Sequence, residues 1–175
     1  MKLSHVALAL LITGSAVTGS EPDDSRHRQQ DFILHLNGPV SEVAPLFGPV
    51  READWAPGWN PQFVHPRAPT QAEGAVFITD GQGGRDRIWM VTVYDEKEGR
   101  IEYVVITPGV TVNQIKIRIS PEGTDRSRAA VTYRHTALSP EGRTEVEKLD
   151  GAWSEQQRSH WEAAINAALA RGPMK

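Results

Sequence analysis

Two histidines and the polar side chains beside them carry the clearest chemical potential in this chain. Residues 127–137 alternate like a strand, which puts Ala129, Val131, Tyr133 and His135 on one face and Thr132, Arg134 and Thr136 on the other. Farther along, Gln157 and His160 stand three residues apart in a helical stretch, a spacing that sets an amide and an imidazole side by side. Should the two faces meet, a phenol, an amide and two imidazoles would share one space. Imidazole titrates near neutrality, so such a set can orient a hydroxyl or carbonyl and act as acid or base. The plainer alternative is a satisfied polar patch in the core, because buried amides and imidazoles need partners and water serves as well as a ligand.

Around these groups the sequence distributes large rings: Trp55, Trp59, Phe63, Phe77, Trp89, Tyr103, Tyr133, Trp153 and Trp161. They can fill the space between a sheet and a helix, or line a cavity that leaves room for a ligand. Trp59 differs from the rest because it sits in a Pro/Gly loop, residues 56–61, and a loop tryptophan near a pocket mouth touches ligand or partner.

Several chemistries are excluded or weakly supported. The 175 residues contain no cysteine, which removes disulfides, thiolate metal sites and a cysteine nucleophile. His35, His65, His135 and His160 lie on separate stretches without metal-ligand spacing, so no metal site is expected. No Gly-x-Ser-x-Gly elbow is present. The glycine run at residues 81–84 joins two strands rather than opening a helix, so it lacks the helix N-terminus that cradles phosphate. Arg85, Asp86 and Arg87 beside it read as a solvated turn, with an acidic head group as the alternative ligand. A formal net charge of −3 without a basic stripe argues against nucleic acid. Nothing calls for a cofactor.

The elements that must position the candidate groups emerge from periodicity and turn residues. Lys2, the apolar run of residues 6–12 and the small residues after it read as a secretory signal peptide over residues 1–20, too short to span a bilayer permanently. Export to the periplasm or outside is the expectation; a cytoplasmic protein with a frayed apolar tail is the alternative. Residues 21–30 read as a linker and 31–171 as one domain. In that domain a strand at 30–37 precedes two short helices at 41–47 and 50–55, and further strands come at 62–65, 75–79, 87–94, 100–107, 112–120 and 127–137. Residues 144–171 then read as a single long helix, with Thr144 and Glu147 as its capping box. Its apolar face carries Val146, Leu149, Trp153, Ala164 and Ala168, with Trp161 at the flank, interrupted by Gln157 and His160. An antiparallel sheet of about seven strands with one apolar face needs a cover, and only this helix is long enough to supply it.

That α+β order resembles the SRPBCC superfamily, the helix-grip folds of START domains, Bet v 1-like proteins and polyketide cyclase-like proteins. The residues that carry the resemblance are Gly38-Pro39-Val40, Trp55 with Pro57-Gly58-Trp59, Gly74-Ala75-Val76-Phe77, Ile88-Trp89 leading to Tyr94-Asp95, residues 132–138, and Trp161. The resemblance implies a curved sheet wrapped around the C-terminal helix, with a cavity between them that takes lipids, polyketides or similar hydrophobic molecules. On that basis Trp55, Trp59, Phe63, Phe77, Trp89, Tyr103, Tyr133, His135, Trp153, Gln157, His160 and Trp161 are the candidate ligand contacts. A carrier or sensor is the first expectation. A cyclase or dehydratase using His135, His160 and Tyr133, and an interaction module without ligand, are the alternatives. Oligomeric state is left open.

Overall fold

Turn residues and alternation build a single antiparallel sheet. The computed structural model describes residues 24–81 and 84–172, so the expected signal segment and the centre of the glycine run lie outside the described residues. Seven strands, β1 (His27–Leu36), β2 (Gln62–His65), β3 (Val76–Asp80), β4 (Asp86–Asp95), β5 (Arg100–Thr107), β6 (Thr111–Pro121) and β7 (Ser127–Ala137), lie in the order β1-β7-β6-β5-β4-β3-β2. Successive strands from β2 to β7 pair as hairpin neighbours, and β1 closes onto β7. Between β1 and β2 come α1 (Val40–Val43) and two 3-10 turns, Ala44–Phe47 and Arg51–Asp54. After β7 come α2 (Pro140–Glu147) and α3 (Gly151–Arg171).

β1 starts at His27, inside the expected linker. The polar run His27 to Gln30 hides strand character, yet its side chains are engaged. The His27 ring bonds Thr136 Oγ1 at 3.0 Å, and Gln30 donates to the Leu149 carbonyl at 2.8 Å. β1 is an edge strand, and such an edge invites pairing unless something covers it. α3 supplies that cover with side chains. The His35 amide donates to Glu162 and the Asn37 amide to Asn166 Oδ1, both at 2.8 Å, while Asn166 Nδ2 donates back to the His35 carbonyl at 3.1 Å.

The single long helix expected at 144–171 is two helices. α2 begins after Ser139, whose side chain accepts from the Gly142 amide at 3.2 Å, and Pro140 fills its first turn. Gly142 seats this helix on the β5–β6 turn, because a Cβ there would collide with the Val110 carbonyl. Thr144 therefore lies inside α2 and caps nothing. The chain breaks at residues 148–150, and Asp150 caps α3 by accepting from the Trp153 amide at 2.9 Å.

The break also changes which face of α3 points inward. Val146 and Leu149 lie before it, so they do not share a phase with the residues of α3. The buried residues of α3 are Ser154, Ile165 and Ala168, with Trp161 half-buried on the same side. His160 lies about a third of a turn from their centre and is exposed. The inward faces of β1, β5, β6 and β7 supply Phe32, Leu34, Leu36, Ile101, Ile115, Ile117 and Val131 to the core opposite.

Candidate functional site

Register places two phenols and an imidazole on the inner wall of the sheet. Tyr103 on β5 pairs with Ile115 on β6, and Ile115 pairs with Tyr133 on β7, so the phenols stand in one cross-strand row on either side of an isoleucine. His135 lies two residues beyond Tyr133 on the same face and opposite Asn113. Tyr133 and His135 are 9% and 7% exposed. Their rings stack with centroids 5.3 Å apart and planes 4° from parallel. Trp153, from the first turn of α3, stands edge-on to both, at 5.4 Å from Tyr133 and 5.5 Å from His135.

Hydrogen bonding fixes the imidazole. His135 Nδ1 lies 3.1 Å from Asn113 Oδ1, an acceptor, so Nδ1 carries the hydrogen. Nε2 is then a bare lone pair, and it is buried without a partner. Burial, helped by nearby His27, depresses the imidazole pKa to about 4. The ring is neutral across the physiological range.

The 3-10 turn Arg51–Asp54 holds a carboxyl that periodicity does not reveal. Glu52 lies in this turn, and Trp55 follows as the residue that ends it. Trp55 is buried against Phe47 and Trp161, at 6.4 and 5.2 Å. The turn is anchored from several sides. The Trp55 indole donates to the Leu46 carbonyl at 2.6 Å, the Arg51 amide to Gln71 Oε1 at 2.7 Å, and the Glu52 amide to the Gly48 carbonyl at 2.9 Å. The Glu52 side chain is half-buried, and loss of solvent alone lifts its carboxyl to about 8. Both phenols feel it: burial first and then Glu52 raise Tyr103 and Tyr133 above the ordinary phenol range. The Tyr103 hydroxyl donates to the Phe47 carbonyl at 2.6 Å, whereas the Tyr133 hydroxyl has no hydrogen bond to a described residue. In the sequence, Arg51-Glu52-Ala53-Asp54 reads as solvated surface, and no signal there points to Glu52.

The expected ring set falls into two groups. Under α3, Phe32, Phe47, Trp55, Trp153, Trp161, Tyr133 and His135 are linked by ring contacts. Beyond α3, on β2 to β5, Trp59, Phe63, Phe77, Trp89 and Tyr103 form a second group. Trp59 is half-buried in this second group, and its indole donates to the Pro49 carbonyl at 2.7 Å. Its ring thus closes the loop onto the sheet. Gln157 is half-buried on α3. His160 is not brought to the site: it faces solvent, because the inward stripe of α3 runs through Ser154, Trp161 and Ile165. The acid–base pair expected of His135 and His160 does not form. Of the cluster beside the glycine run, Arg85 pairs with Glu141 on α2, and Arg87 is half-buried and acts on Tyr133.

Two pockets open elsewhere on the surface. One of about 610 Å³ lies along β1 and β7 near Ile33 and Arg158, and one of about 500 Å³ lies between Leu46 and Leu169. No expected ring lines either pocket. Among the described residues no helix is long and apolar enough to cross a membrane, and no three metal-ligating side chains gather.

No known protein family matches the sequence, and no curated protein matches it significantly. Solved structures do match in shape. Norcoclaurine synthase from Thalictrum flavum, in complex with dopamine and hydroxybenzaldehyde, superposes with a TM-score of 0.63 at 13% identity, covering 97% of this chain and 100% of that one. Ara h 8.0201 gives 0.57 at 11% identity, over 82% of this chain and 99% of that one. A Thermobifida fusca protein determined by NMR in solution gives 0.57 at 18%, over 82% and 93%. At these identities the likeness speaks to architecture, a seven-stranded antiparallel sheet with a long C-terminal helix. The chain has the Bet v 1-like helix-grip fold.

Proposed function

We propose that the protein binds a small apolar or aromatic molecule between the inner wall of the sheet and α3, as a carrier or sensor. The observation that carries this reading is a pair of neighbouring polar groups on the inner wall of the sheet without hydrogen-bond partners among the described residues: His135 Nε2, which is buried, and the hydroxyl of Tyr133, whose ring stacks on His135. Buried polar groups are nearly always hydrogen-bonded, and leaving one unsatisfied costs about 1–3 kcal/mol. A ligand with polar groups on an apolar frame would satisfy both while its frame meets Trp153 and Trp161. Trp153 is the natural cover, half-buried and one turn from the break between α2 and α3. The capture of two small aromatic molecules by norcoclaurine synthase, in the same architecture, supports the idea that this fold takes ligands of that size. Burying about 300 Å² of apolar ligand at ~25 cal/mol/Å² gives an upper bound near 7–8 kcal/mol before the costs of association. Micromolar affinity therefore needs no catalysis.

Native mass spectrometry of the purified protein, followed by solvent extraction, tests the reading. A co-purified small molecule that Trp153→Ala releases is expected. An empty protein that also fails to bind any of a panel of aromatic and lipid probes would sink it.

A catalytic reading has one observation in its favour. Glu52 is held protonated up to about 8 and His135 is held neutral down to about 4, and environments that push two titratable groups apart make an acid and a base. Turnover that survives Glu52→Gln and His135→Phe together would rule out these two as its acid and base. We further propose that the chain is exported on the strength of its N-terminal segment; recovery of an uncleaved species in the cytoplasm alone, after fractionation, would refute that.

A further inference from the structure

The outward face of the sheet, away from α3, has two unlike halves. On β1 and β7 it is polar and closed on itself: Gln29 donates to Asp31 at 2.8 Å, Thr132 to Asp31 at 2.6 Å, and Arg134 to Gln29 at 3.0 Å. From β3 to β6, register and alternation instead lay down two cross-strand rows of aliphatic side chains, Val76-Met90-Val104 and Ile78-Ile88-Ile106-Val112. Their chain neighbours Phe77, Trp89 and Val105 are the residues that enter the core. Met90 is 46% and Ile88 36% exposed, and the rest of the two rows is half-buried. Beyond the Ile88 row, Asp80 pairs directly with Asp86 across β3 and β4, and neither carboxylate has an ion pair among the described residues. Like charges set opposite one another repel. Beyond the Met90 row, Glu102 is shared by Lys116 at 3.5 Å and Arg118 at 2.5 Å, which leaves positive charge in surplus.

We propose that this outward face is an interface between two copies of the chain. A contiguous aliphatic surface of this extent marks an interaction site. The occupant follows from the order of groups along the strands: acidic, aliphatic, aliphatic, basic. A two-fold axis lying in the interface, between the two aliphatic rows, lays rows upon rows. It also turns the acidic end of each copy toward the basic end of the other, so one patch complements itself. The size agrees. Four rows deep and four strands wide, the face measures about 27 by 19 Å at ordinary strand spacings, roughly 500 Å² per copy. Two facing copies then bury about 1,000 Å², the lower bound for a specific interface, which makes a dimer of modest affinity. The groups Tyr133 and His135 belong to the opposite face of the sheet, so pairing leaves them untouched and the proposal stands apart from the ligand reading.

Sedimentation velocity of the purified protein over a range of concentrations tests this. A reversible monomer–dimer equilibrium is expected, with a dissociation constant on the order of 10 µM, weakening at least about three-fold between low salt and ~0.5 M salt. Met90→Lys places a charge at the centre of the face and should weaken pairing at least about thirty-fold. Because Met90 is exposed in the single chain, the variant's far-UV spectrum and urea midpoint should match the wild type. Asp86→Asn keeps the shape of the side chain and should weaken pairing about five-fold while flattening the salt dependence. A protein that stays monomeric throughout overturns the proposal, and binding of that monomer to phosphatidylcholine vesicles would give the face to a lipid surface instead. A dimer that survives Met90→Lys also overturns it, because the contact then lies elsewhere. A dissociation constant unmoved by Asp86→Asn overturns the charge complementarity that selects a second copy.

Discussion

The two ring groups inside this protein look alike in composition and differ in one respect. In the group beyond α3 each polar handle is closed within the protein. Trp89 donates to Thr79 Oγ1 at 2.9 Å, Trp59 to the Pro49 carbonyl and Tyr103 to the Phe47 carbonyl. Phe77 and Trp89 lie stacked at the centre with planes 11° apart. Under α3 the Trp55 indole is closed in the same way, but the Tyr133 hydroxyl and His135 Nε2 are left open among the described residues. Aromatic burial alone does not distinguish a core from a site. Hydrogen-bond completeness of the ring handles does, because a finished core has no reason to keep a buried imidazole nitrogen unpartnered.

The largest expected effect comes from breaking the closed group. Phe77 is fully buried among Trp59, Phe63, Trp89 and Tyr103. Phe77→Ala should cost about 3–5 kcal/mol in urea unfolding, the range for deleting a buried ring. The comparison sharpens if Trp153→Ala costs far less, as befits a half-buried cover rather than a keystone. Equal losses would mean that both groups are core.

Next come two titratable groups, whose signs oppose each other. Glu52 has a folded pKa raised to about 8 from 4.5, so its contribution is fully present below pH 4.5 and is lost as pH rises through 8. Glu52→Gln should therefore stabilise the protein by about 3 kcal/mol at pH 8 and by little at pH 4.5. His135 has a folded pKa depressed to about 4 from 6.5, so its contribution is present above pH 6.5 and is lost as pH falls toward 4. His135→Phe, which keeps a ring stacked on Tyr133, should flatten that acid limb, worth about 2–3 kcal/mol in urea unfolding at pH 4.5 against pH 7. A wild-type stability profile that is flat between pH 6.5 and 8 would refute the account of Glu52.

A smaller effect is expected where a closed handle is opened. Thr79 accepts from the Trp89 indole in the buried group. Thr79→Val leaves that donor unpaired and should cost about 1–2 kcal/mol, without altering ligand affinity.

Much of this architecture is legible in the sequence, for reasons that vary by element. β2, β5 and β7 coincide with the expected ranges, because each alternates cleanly and is fenced by turn residues. β1 is harder to delimit because its first four residues are polar on both faces. The C-terminal helix reads as one because Asp150-Gly151 is a stop-and-start signal hidden inside a long apolar periodicity. Adding Val146 and Leu149 to the pattern turns the apparent face toward His160. Tyr133 and His135 are visible because strand alternation fixes a face. Glu52 is not, because a single turn in a charged run gives no periodicity.

The break hidden in that periodicity also bears on the site. Asp150 accepts from the Trp153 amide, so one side chain both starts α3 and fixes the turn that holds Trp153 over Tyr133 and His135. Asp150→Ala removes this cap and should cost about 1 kcal/mol of global stability, the smallest effect considered. Locally it should matter more. Fraying the first turn of α3 loosens the cover without touching the groups beneath it, so bound probe should dissociate faster while Glu52 and His135 keep their titrations. Stopped-flow tryptophan fluorescence measures that rate. If Asp150→Ala leaves it unchanged while hydrogen exchange shows the first turn of α3 opening, then Trp153 is not the cover and the ligand's path lies elsewhere.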